Sequence, residues 1–135
     1  MLKPTRKLLE LSALPGAILL TLLIAFLSLI TSRSFVGAIN IDNSDKYGHF
    51  ISYFLLTYAW LYATRSYGKI SRTAVVLATI FYGIILEVLQ GTLTTDRSAD
   101  IFDVLANSTG VILAVLLFSR LDKFSDENKK NCSNK

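Results

Sequence analysis

Four long apolar blocks alternate with short polar stretches along the chain: Leu11–Thr31, Tyr47–Thr64, Thr73–Leu89 and Ile101–Ser119. Inside them the apolar residues run almost continuously, a pattern that predicts buried or lipid-facing helices. At about 1.5 Å of rise per residue, these lengths match a hydrocarbon core about 30 Å thick, the third block being slightly short. An open sheet would leave edge hydrogen bonds unpaired in lipid, and no block alternates apolar and polar residues as a barrel strand does. The expected fold is all-α, a polytopic membrane protein with four transmembrane helices.

Composition agrees with this pattern: 52% of the 135 residues are apolar, more than a small water-soluble core can absorb when concentrated in blocks. Residues 1–121 are expected to form one four-helix membrane domain, and the polar stretch 122–135 a disordered tail. The net charge of +4 raises the question of an acidic partner, which the placement of the basic residues answers. Eleven of the fourteen flank the blocks on one side: Lys3, Arg6 and Lys7, then Arg65, Lys69 and Arg72, then Arg120, Lys123, Lys129, Lys130 and Lys135. Arg33, Lys46 and Arg97 lie on the other. That asymmetry puts both termini and the middle loop in the cytoplasm. Nucleic-acid binding is not expected, because the basic residues form neither a stripe nor a set interleaved with stacking aromatics.

The basic start, apolar run and Val36-Gly37-Ala38 resemble a secretory signal, but the run is too long and that site lies well beyond it, so an uncleaved span is expected. Pro15 and Gly16 fall in the first turns of block one, where a proline costs few hydrogen bonds. Asn40, Asp42, Asn43 and Ser44 favour turns and caps, placing the start of the second helix near Ser44 or Asp45. Trp60, Tyr62 and Tyr67 cluster as interfacial anchors would. The short loop at Arg65–Arg72 makes blocks two and three a hairpin, so their outer ends meet. Cys132 stands alone in the polar tail, with no partner for a disulfide or a metal cluster.

At about 100° per residue, the polar residues near those outer ends fall into stripes. Block two carries His49 and Tyr53, with Asp45 and Lys46 at its mouth; block three carries Gly83, Glu87 and Gln90; block four carries Asp100, Asp103 and Asn107, then Gly110 and Ala114. Ionisable groups at membrane depth are costly and face a cavity or one another. Glu87 and His49 are candidates for acid and base catalysis, and Asp100 and Asp103 for holding a divalent cation. Arg97, with Lys46, Gln90, Tyr53 and Asn107, is a candidate for binding an anionic substrate. Gly83, Gly110 and Ala114 suit close helix packing.

Each residue also has a plainer reading. His49 and Tyr53 can be a packing pair, Glu87 an interfacial carboxylate, and Asp96 with Arg97 a loop salt bridge. Asp100 can be a helix cap and Asn107 interhelical glue. Capping explains neither Asp103, one turn further in, nor Asn107, two turns in.

Glu87-x-x-Gln90, Arg97-x-x-Asp100-x-x-Asp103-x-x-x-Asn107-x-x-Gly110 and Asp45-Lys46-x-x-His49-x-x-x-Tyr53 together resemble the VanZ-like family of small bacterial membrane proteins, over about Asp45–Leu117. Ala114 stands where many members have a further glycine. The resemblance implies a cytoplasmic (inner) membrane protein of the bacterial envelope, with a link through the founding member to low-level resistance to the glycopeptide teicoplanin. Combined with the polar stripes, it leads to a protein that binds an anionic envelope lipid or lipid-linked precursor at its outer face, with modification of that ligand left open. The alternative is a non-catalytic accessory protein that alters exposure of a lipid or antibiotic target. An ion carrier is disfavoured, since Val75–Ala78 and Val111–Leu117 continue no polar stripe inward.

Overall fold

The computed structural model describes residues 3–30, 44–67, 70–93 and 100–133, all helical apart from short lead-ins at 70–71 and 100. The helices are α1 (Lys3–Ile30), α2 (Ser44–Tyr67), α3 (Arg72–Leu93) and α4 (Ile101–Ser133). No strand occurs among the described residues. Three stretches, Ser12–Ile30, Arg72–Leu93 and Ile101–Ser125, are long and apolar enough to cross a membrane. Helix α2, of 24 residues, is long enough but is diluted by Asp45, Lys46, His49 and Arg65.

Position explains the difference. Helix α2 is central, packed against α1, α3 and α4, so its polar residues meet partner helices. Tyr53, Leu56, Thr57 and Leu61 are almost fully buried there. Helix α1 shows the opposite pattern, with Leu19, Leu22, Phe26 and Ile30 exposed on a face suited to lipid. On α4 the buried seam Asp103, Asn107, Gly110, Ala114 and Phe118, with Val111 beside Gly110, advances in steps of three and four, the spacing of one helix face. A Cβ on Gly110 would lie 2.4 Å from the Phe50 carbonyl oxygen, which makes this the point where α2 and α4 approach backbone to backbone.

Local capping sets two helix starts. The Ser71 hydroxyl accepts from the Ala74 N–H at 3.1 Å, and the Asp100 carboxylate accepts from the Phe102 N–H at 2.9 Å, each satisfying a donor of the first turn. At the opposite end from the Asp100 cap, Asp122 bridges Arg65, at 2.8 Å, and Arg72, tying α4 to both helices of the hairpin. Helix α1 is fastened by polar contacts. Trp60 Nε1 donates to Thr21 Oγ1 at 3.0 Å, the Tyr82 hydroxyl to the Thr21 carbonyl, and Gln90 Nε2 to the Ser28 carbonyl at 2.7 Å.

Three expectations need correction. The stretch 122–133 is not disordered: α4 runs unbroken to Ser133, because no Pro or Gly follows Gly110 and Asp122 is held by two arginines. Pro15 lies well inside α1, which begins at Lys3, so its missing N–H removes an interior hydrogen bond that a first-turn proline would not. Trp60 is half-buried, its indole turned to α1.

Candidate functional site

The start of α2, the end of α3 and the start of α4 come together at one end of the bundle. Their polar side chains form a layered cluster. At its mouth Lys46 Nζ lies 3.2 Å from Asp100 Oδ2 and 3.8 Å from both Asp45 Oδ2 and Asp103 Oδ1. Its hydrogen bond to Asp100 raises the Lys46 ammonium above the ordinary lysine range. The Phe102 N–H, followed by Lys46, holds the Asp100 carboxyl below the ordinary aspartate range. Both groups therefore stay charged around neutral pH.

One layer deeper lie His49, Asp103, Asn107 and Glu87. His49 Nδ1 is 3.2 Å from Asn107 Oδ1, and His49 Nε2 is 3.6 Å from Asp103 Oδ2. Glu87 Oε1 accepts the backbone N–H of Asp100 at 2.7 Å, so the turn into α4 orients the carboxylate on α3. Glu87 and Asp103 are each only 4% exposed. Glu87 Oε2, Asp103 Oδ1 and the Tyr53 hydroxyl are buried without a hydrogen-bond partner. One ligand atom from each of His49, Glu87 and Asp103 falls within a 4.8 Å group.

The residues expected to act together divide on this geometry. His49, Glu87, Asp103 and Asn107 meet, with Lys46 above them. Asp100, expected beside Asp103 as a cation ligand, instead caps α4, pairs with Lys46 and orients Glu87, and it is not one of the three grouped donors. Gln90, expected to bind substrate, spends an amide hydrogen on α1. Tyr53 packs against Gly83, where a Cβ would lie 3.0 Å from its ring and 3.2 Å from Asn107 Nδ2. Gly83, Gly110 and Ala114 all sit at buried helix contacts. Arg97 lies outside the described residues. Sequence reasoning missed Tyr82, whose ring lies 6.2 Å from that of Tyr53 while its hydroxyl fastens α1; its place beside Gly83 was the available signal.

A half-buried histidine beside two buried carboxylates can relay protons, hold a cation or bind a polar head group. A separate cavity of about 360 Å³ opens among α1, α2 and α3, lined by Leu56, Trp60, Ala78 and Tyr82, and none of the grouped donors lines it.

No solved structure matches the chain significantly. The uncharacterised protein C11E3.10 of Schizosaccharomyces pombe is 32% identical over 100 residues, covering 73% of this chain. The chain spans 60% of that relative's length. The VanZ/LLP1 family model matches residues 15–122, from the first apolar block to the Asp122 bridge and across the entire polar cluster, and the chain belongs to that family.

Proposed function

We propose that this protein crosses its membrane four times, with both termini in the cytoplasm, and binds an anionic lipid or lipid-linked precursor through the polar cluster at the outer face. The observation that carries this reading is the burial of Glu87 and Asp103 with unpartnered oxygens beside His49, at one end of a bundle that exposes many large apolar side chains. Buried polar atoms without partners are uncommon and mark places where a ligand or ion completes the set. His49, Glu87 and Asp103 are the residues that would face the bound head group, and Lys46 the cation that meets its charge on entry. The apolar cavity among α1, α2 and α3 suits hydrocarbon, which fits an amphiphilic ligand.

On this reading, glycopeptide resistance would be a secondary outcome of altered envelope lipid in those organisms that meet the drug. The test is native mass spectrometry from a mild detergent. Wild type is expected to retain an anionic lipid that folded Glu87→Gln releases. Equal retention by both, together with equal cellular function at matched abundance, would remove Glu87 from the site and refute the reading.

A further inference from the structure

We infer that His49, Glu87 and Asp103 form a binding site for one divalent transition-metal ion, of the zinc or manganese type. The inference deepens the proposed function, resting on the same cluster, and names the cofactor that cluster would use. Three observations lead to it.

The first is a deficit of positive charge. Lys46 is shared among Asp45, Asp100 and Asp103, and its shortest contact is to Asp100. Among the described residues Glu87 makes no ion pair, although it is almost fully buried. A buried carboxylate without a cation or a proton is strongly disfavoured.

The second is the set of unpartnered atoms. Glu87 Oε2 has no hydrogen-bond donor although Oε1 of the same carboxylate is fixed on the Asp100 N–H, so its free valence is held in position. Asp103 Oδ1 likewise accepts no hydrogen bond and meets Lys46 only at 3.8 Å, while Oδ2 lies 3.6 Å from His49 Nε2.

The third is the geometry of His49. With Nδ1 protonated and donating to Asn107 Oδ1, the lone pair on Nε2 faces Asp103. Metal-bound histidines are oriented in this way, by a second partner on the other ring nitrogen. Metal–ligand bonds of about 2.0–2.2 Å place neighbouring tetrahedral ligands roughly 3.4 Å apart. The 3.6 Å between His49 Nε2 and Asp103 Oδ2 is close to that spacing, and the three donor atoms, all within 4.8 Å of one another, would be drawn together by roughly 1 Å around an ion.

The donor set selects the ion. One imidazole with two carboxylates suits zinc or manganese, whereas the absence of thiolates from the set argues against the softer ions. Three protein ligands also leave coordination positions open, the pattern of sites that accept water or a substrate oxygen. A phosphate oxygen of the proposed lipid would fit such a position. Asp100 and Lys46 stand outside the ligand set, as positioning residues for Glu87 and for the entering charge.

The test is isothermal titration of untagged, chelator-stripped full-length protein in mild detergent with Zn²⁺ and with Mn²⁺. Co²⁺ absorption spectra provide a second readout of the coordinating atoms. Wild type is expected to bind one ion per chain. Glu87→Gln, Asp103→Asn and His49→Gln are each expected to weaken binding at least tenfold, and Asn107→Ala about tenfold through loss of the histidine's orienting partner. Thermal melts identify any variant that fails to fold, in which case the remaining variants carry the test. Failure of folded wild type to bind either ion, or unchanged binding in all folded variants, would overturn the inference. Lipid retention is read separately: lipid held without metal overturns the metal site alone, and metal held without lipid overturns the lipid reading alone.

Discussion

Replacing Gly110 with alanine puts a methyl group 2.4 Å from the Phe50 carbonyl oxygen and 3.0 Å from the Phe54 nitrogen, both backbone atoms that no rotamer change can move. Ordinary contact begins at 3.4 Å, so α2 and α4 must separate by about 1 Å at this level. Overpacking of this kind costs about 1–3 kcal/mol, and the better helix propensity of alanine returns up to about 1 kcal/mol. The expected net loss is roughly 0–2 kcal/mol. The effect on the cluster is larger than that figure suggests. Asn107 lies one turn from Gly110 on α4 and His49 precedes Phe50 on α2, so the same displacement stretches the 3.2 Å contact between them beyond hydrogen-bonding distance. Gly48→Ala is the matched control, since a Cβ there meets nothing within 4 Å and should stabilise α2 by up to about 1 kcal/mol. Thermal unfolding in detergent should therefore place Gly110→Ala below Gly48→Ala. Equal melting temperatures, with metal and lipid binding unchanged in Gly110→Ala, would refute the close-approach argument.

The Lys46–Asp100 pair sets a pH window. Because the Asp100 carboxyl lies below its free value of 3.8, its contribution is complete above that value and lost as the pH falls through the lower folded one. Because the Lys46 ammonium lies above its free value of 10.5, its contribution is complete below that value and lost as the pH rises through the higher folded one. Melting temperature should thus fall at both extremes, and Asp100→Asn should flatten the acid limb; an unchanged acid limb would exclude the Asp100 carboxylate, as cap of α4 and partner of Lys46, as a stabilising group. At the other end of the bundle, Asp122→Asn should cost about 1 kcal/mol, a modest value because Arg65 and Arg72 are partly solvated, and the difference should shrink in high salt. Salt-independent melting of both proteins would argue against the bridge. Gln90→Leu removes the tie from α3 to Ser28 and should cost about 1 kcal/mol, read as easier proteolysis of α1; protection equal to wild type would show that this tie does not hold that helix.

The helices were legible because apolar blocks and their polar breaks are long-range compositional signals, and the spacing of Asp103, Asn107 and Gly110 located the seam of α4 before any partner was known. The lesser hydropathy of α2 was not recognised as centrality, since a sequence pattern does not say whether a mixed face meets lipid or another helix. The division of labour between Asp100 and Asp103 was also hidden. Both are aspartates on one stripe, and what separates them is a backbone hydrogen bond from Asp100 to Glu87 that carries no residue signature. Gln90 was misjudged for a related reason: its helical phase lies near that of Glu87, but its amide reaches the neighbouring α1. The end of α4 was placed too early because polarity was taken as a stop signal. Polar residues without Gly or Pro continue a helix, and Asp122 finds partners on α2 and α3.

Gly110 divides α4 unequally. About 10 Å of helix separates it from Asp103, and about 35 Å from Ser133, at 1.5 Å per residue. Where two backbones touch and side chains interlock on either side, that contact is a fulcrum. A rocking of α4 by 5° about it would shift Asp103 by about 1 Å and swing Ser133 by about 3 Å, with the Asp122 bridge as a latch on the long arm. Small changes at the polar cluster are therefore best observed at the far end of α4, where the long arm magnifies them.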